Sequence, residues 1–123
     1  MSKTTKNENE NNIYPAKVAK VIDEYQIVIN KGKNHEIKKG DRFLIYRLDE
    51  EINDPDTGES LGVLELIIGK GEVIHVQDSM STLKSTDKKN IKIRNTLGFF
   101  PERTDTEDVP FDGAETGDLA KPI

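Results

Sequence analysis

The side chains able to do chemistry are few here, and their spacing favours turns over catalysis. Asp54, Asp56 and Glu59 bring three carboxylates close together, as a calcium loop would. The D-x-[DN]-x-[DN]-G frame of an EF-hand is missing, however, and Pro55 with Gly58 already explains the segment as a turn. His35 and His75 are the only histidines. His35 lies in a polar loop, and His75 has the strand parity opposite to Ile74 and Val76. Both therefore read as surface imidazoles rather than a zinc site or a general base. The acids Asp49, Glu50 and Glu51 form a run of the kind usually found as solvated surface. No phosphate loop is present, because Gly32 is followed by Gly40 without the G-x₄-G-K-[ST] frame. Zero cysteines exclude disulfides, thiolate metal sites and a thiol nucleophile. The sequence thus names no catalytic residue, no cofactor and no metal site, and the expectation is a protein that is not an enzyme.

Two features resist this bland reading. Lys31, Lys33, Lys38, Lys39 and Arg42 cluster around one loop and form a candidate binding rim, which with Lys88, Lys89, Lys92 and Arg94 suggests nucleic acid. Aromatic residues are sparse there, so no platform for stacking bases is visible, and a solvated rim is the simpler reading. Glu65 is the second feature, a lone acid between Leu64 and Leu66 in an apolar strand. Either it faces solvent at a gap in the cover, or it is buried against a base such as Arg42 or Arg47.

The elements that must position these residues are strands. The chain has 123 residues, enough for one modest core. Hydrophobic residues make up 33% and charged residues 33%, and there is no tryptophan, which fits a small core with disordered ends. A net charge of −5 argues mildly against a dedicated nucleic-acid binder. No run approaches the roughly 20 apolar residues of a membrane span. The opening MSKTTKNENENN has no apolar signal region, so the expectation is a disordered arm over 1–12 and a cytoplasmic location.

From Ile13 the pattern becomes that of β-structure. Residues 13–22 alternate with a change of parity near Ala19–Lys20, where a bulge is predicted. YQIVIN alternates cleanly and should pair with the first strand as a hairpin. Gly32 and Gly40 bracket a loop in which Ile37 plugs the barrel end. Asp41 should fix the entry of DRFLIYRL, which is apolar on both parities and so asks for cover on both faces. Asp54, Pro55 and Gly58 suit a type I turn closed by a glycine bulge. LGVLELII and EVIHVQ read as the next two strands, with Gly69 and Gly71 bending the chain between them. A short sixth segment is expected around Met80–Leu83.

The composition shifts again after this. Residues 85–113 read as a linker or irregular segment, with a ragged extra strand at Ile91–Ile93 as one option. Residues 101–123 hold seven acids and two bases, a local net of −5 equal to that of the whole chain. Gly117-Asp118 repeats the Gly40-Asp41 step. Two readings of 114–123 stay open: a second such turn feeding a short strand back onto the barrel, or a disordered tail. The fold class is all-β: a small SH3-like antiparallel barrel of about five to seven strands over 13–84, with a largely irregular acidic C-terminal region.

These residues resemble a known family. Asn30, Gly32, Gly40, Asp41, Phe43, Ile45 and Tyr46, followed by Ile52, Asp54, Pro55, Thr57, Gly58, Glu59, Leu61, Gly62 and Glu65, are similar to a pattern in the C-terminal domain of flagellar assembly protein T. The match covers residues 15–84. The D-P-x-T-G-E-x-L-G run is its most specific part, whereas the Gly-Asp step occurs in many SH3-like barrels. The resemblance implies a small barrel module that binds protein partners in a larger assembly without catalysis. Flagellar assembly protein T is exported and has further domains ahead of this one, and neither is visible here. The leading expectation is therefore an interaction or assembly module, with a protein partner or self-association, in a flagellar or envelope process. The alternative is a small nucleic-acid-binding barrel that uses the lysine-rich rim.

Overall fold

Hydrophobic alternation with glycine and Asp-Pro punctuation becomes a closed antiparallel barrel. The computed structural model describes residues 14–93 and 103–123, so the N-terminal arm expected over 1–12 lies outside the described residues. Eight strands follow in order: β1 (Ala16–Asp23), β2 (Gln26–Ile29), β3 (Arg42–Asn53), β4 (Ser60–Val76), β5 (Ser81–Ser85), β6 (Lys88–Ile93), β7 (Arg103–Asp108) and β8 (Leu119–Pro122). Six of them close the barrel in the order β1-β2-β5-β4-β3-β8, while β6 and β7 form a separate two-stranded sheet. Closure removes the free edges that a sheet of this size would otherwise expose.

The barrel strands send apolar side chains inward. Val18, Ile27, Ile29, Phe43, Ile45, Val73, Leu83 and Ala120 are buried in one cluster, with Ile37 at the barrel end. Deleting the side chain of a fully buried member such as Ile45 would cost about 3 kcal/mol. The β1–β2 ladder shifts register between Val18 and Lys20, so the parity change seen in the sequence is a bulge at Ala19.

Two expectations need correction, and one open alternative is resolved. First, β4 does not break at Gly69 and Gly71 but runs through them as one strand. A Cβ on Gly69 would lie 2.9 Å from the Phe111 ring and one on Gly71 3.2 Å from it, so the two glycines clear a slot for that ring. Second, within 85–113 the described residues are not irregular linker: Lys88–Ile93, which includes the optional strand at Ile91–Ile93, and Arg103–Asp108 are paired strands. They carry the antiparallel β6–β7 pair and deliver Phe111 into the core. Backbone bonds from Val109 to Asp87, Phe111 to Glu24 and Asp112 to Ile68 fix the pair's base against the barrel. Third, of the two readings of 114–123, the observed one is the short strand returning to the barrel. Strand β8 lies between β1 and β3, pairing Ala16 with Ala120 on one side and Ile45 with Ala120 on the other.

Candidate interaction surface

The two Gly-Asp steps hold the barrel ends by the same set of bonds. At the first, Asp41 accepts the Lys38 N–H on Oδ2 at 2.9 Å and donates its own N–H to the Lys38 carbonyl at 3.0 Å. At the second, Asp118 accepts the Glu115 N–H at 2.8 Å and donates to the Glu115 carbonyl at 3.1 Å. Each step then clamps a valine of the neighbouring strand. Gly40 and Asp41 exchange bonds with Val73 at 2.9 and 2.8 Å, and Gly117 and Asp118 with Val18 at 2.8 and 2.7 Å. Gly40 and Gly117 have φ of 95° and 98°, a region that favours glycine.

Asp118 does more than Asp41. It is 4% exposed and receives both Nε and Nη2 of Arg47, at 2.7 and 2.8 Å. Arg47 Nη2 also donates to the Gly113 carbonyl at 3.0 Å, so one guanidinium ties β3 to the tail. The hydrogen bonds to Asp118 hold the Arg47 pKa above its ordinary value. Gly32 has a different task. A side chain there would collide with the Gln77 carbonyl and sit 2.6 Å from the Met80 nitrogen, so the residue permits close backbone approach. His35 accepts the Gly32 N–H on Nδ1 at 3.3 Å and shapes this loop, and His75 is exposed.

Three of the five rim cations come together. Lys33, Lys38 and Lys39 line a shallow cleft of about 660 Å³ with Glu36, Ile37, Ile74, His75 and Val76. Lys31 lies outside that lining, and Arg42 sits 3.9 Å from Glu72. No Phe, Tyr or Trp lines the cleft. Among the described residues, no group of three or more His, Cys, Asp and Glu side chains is arranged to hold a metal ion. No helix among them is long and apolar enough to cross a membrane.

At the opposite end of β3 and β4 the two strands leave the barrel together. Strand β8 pairs with β3 only over Phe43–Tyr46, and β5 pairs with β4 only over Gly71–Val76. Beyond those points β3 and β4 pair with each other alone, as a ribbon closed by Asp54–Glu59. The Asp54 carboxylate accepts the Asp56 N–H at 2.8 Å, the Asp54 carbonyl accepts the Gly58 N–H at 2.7 Å, and Gly58 has φ 79°. Asp54, Pro55 and Gly58 are thereby assigned to the turn.

Both faces of this ribbon are apolar and open. Leu61 is 65% exposed, Ile67 52%, Val63 51%, Leu48 51%, Leu64 43% and Leu66 39%. The sequence asked for cover on both faces of these strands. The barrel and β8 supply it for the half near Phe43 and Ile45, and nothing among the described residues supplies it for the outer half. Glu65 is not buried against Arg42 or Arg47. It pairs with Lys121 of β8 at 3.1 Å with 40% of its side chain accessible, and Lys121 also lies 4.7 Å above the Tyr46 ring. The exposed ribbon escaped the sequence reading because an apolar run looks the same whether a core or a partner covers it. The one local signal was its two-sided apolarity, which exceeds what a single barrel wall can bury. Compared with protein-family models and with curated proteins, the chain matches none.

Proposed function

We propose that this chain is a non-enzymatic β-barrel module that binds a protein partner through the β3–β4 ribbon. The ribbon's six large apolar side chains, each at least 39% exposed and clustered on one projection, carry the reading. A contiguous apolar projection of this kind marks protein association, because leaving it in water forgoes about 25 cal/mol for each Å² that a partner would bury. The Gly-Asp clamps and the Arg47–Asp118 tie make the barrel a rigid base for it. The likeness to the C-terminal domain of flagellar assembly protein T agrees with an assembly role, and a flagellar or envelope setting belongs to the same proposal.

The test is copurification from the native cell with tagged wild type and with a variant carrying Leu61→Lys and Ile67→Lys. Proteins that accompany the wild type should be lost from the variant while its circular dichroism stays that of the folded barrel. Equal recovery with both forms would move the binding surface elsewhere. The rim then becomes the alternative, and it requires binding to mixed RNA or DNA at low salt with a steep salt dependence.

A further inference from the structure

The ribbon has two edges, and they differ. The outer edge of β3 carries Asp49, Glu50 and Glu51 in succession. Such charges keep strands from adding to an edge. The outer edge of β4 has no such guard: from Leu61 to Ile67 the only charged residue is Glu65, and Lys121 already neutralises it. Among the described residues no strand pairs with this stretch, although the Gly62 N–H is held by Ser60 of the same strand at 3.1 Å. It is also regular. The β3–β4 register places the extra residues of β4 at Leu61 and Ile68; between them the one irregularity is an extra residue of β3 at Asp49–Glu50, opposite Leu64, so β4 itself carries no bulge over Gly62–Ile67. A two-stranded ribbon is marginal in water, and a third strand is the usual remedy.

We infer that a second copy of this chain supplies that strand, with β4 pairing antiparallel to its counterpart about a two-fold axis at Leu64. The inference rests on the ribbon being the binding surface, and it names the partner. The free stretch limits the register, since the barrel takes over at Ile68, whose carbonyl accepts the Asp112 N–H. Leu61 to Ile67 is centred on Leu64. Pairing about that residue sets Leu64 against Leu64, Leu61 against Ile67, Gly62 against Leu66 and Val63 against Glu65. A register centred on Glu65 would oppose two carboxylates and is disfavoured. Charge also matches at the ends. From Asp49 to Ser60 the ribbon has six acids and no base, and this register carries that acidic tip past Ile68 of the other copy toward its exposed Lys70, with Asp87 the neighbouring acid. The result is a four-stranded sheet whose outer strands are the acid-guarded β3 edges, which stops further addition. Two-fold closure of this kind gives a dimer rather than a fibre.

The chain has no cysteine, so an introduced thiol reports geometry without interference. Light scattering on the full chain should give twice the chain mass. Leu64→Lys places like charges face to face across the axis and should raise the dimer Kd about tenfold or more. Under mild oxidation Leu64→Cys should form a disulfide-linked dimer, whereas Leu48→Cys, more exposed but on the guarded strand, should not. A wild type that stays monomeric, a dimer indifferent to Leu64→Lys, or equal cross-linking of the two cysteine variants would each overturn the inference. A monomer would mean that residues 1–13 or 94–102 of the same chain, or a different protein, cover the edge. Copurification that depends on Leu61 and Ile67 while the purified chain is monomeric would retain the ribbon and reject self-pairing.

Discussion

Single residues divide into those that build turns and those that are left over for binding. Gly32, Gly40, Asp41, Asp54, Pro55, Gly58, Gly117 and Asp118 all shape backbone, which removes the most conspicuous carboxylates from any catalytic account. The cost of losing Asp118 follows from its three hydrogen bonds. Asp118→Ala should destabilise the barrel by about 2 kcal/mol, below the 3–5 kcal/mol of a fully buried pair because Arg47 can still reach water, as urea unfolding would show. Tyr14 gives a pH signature. Burial first, then the negative charges of Asp41 and Glu36, raise its pKa. The unfolded phenol therefore ionises at lower pH than the folded one, so stability should fall as pH rises through the ordinary tyrosine value of about 10. Tyr14→Phe should flatten that alkaline limb in a pH series of melting temperatures. At the acid end, the hydrogen bond from Lys88 lowers the Asp108 pKa, so the strength of that exposed contact is lost as pH falls through the carboxylate range.

Among the elements, the strands of the first two-thirds of the chain were legible because alternation, glycine and Asp-Pro signals agreed with one another. Residues 85–113 were legible only as the optional strand at Ile91–Ile93, for a physical reason. β6 and β7 are dominated by charged and polar residues, and a ladder held by cross-strand contacts such as Lys88–Asp108 leaves Ile91 and Ile93 as its one apolar period. Phe111 was missed because one aromatic in an acidic stretch shows nothing of the slot that Gly69 and Gly71 open for it. Its importance is measurable: Phe111→Ala should lower stability by about 3 kcal/mol in urea unfolding. Strand β8 was half visible, since Gly117-Asp118 copies the Gly40-Asp41 step residue for residue in its hydrogen bonding. A chain ending at residue 113 lacks β8 and leaves β1 and β3 with unpaired edges. It should lose cooperative thermal unfolding altogether, whereas the full chain should melt in one transition.

At the scale of the whole molecule, the barrel and the ribbon have opposite characters. One is closed, clamped at both Gly-Asp steps and buried around Phe43 and Leu83; the other is open, apolar and paired on one side only. The site was legible as a demand for cover, but its location was not, because sequence parity cannot say where a strand leaves its barrel. A ribbon that is the binding surface must carry its stability partly in the associated state. Amide hydrogen exchange reads this directly. In wild type, the outward-facing amides between Leu61 and Ile67 should exchange more slowly, relative to their intrinsic rates, than in Leu64→Lys, while the barrel amides of β1, β2 and β5 exchange alike in both. Equal exchange at Leu61–Ile67 in the two proteins would contradict the account.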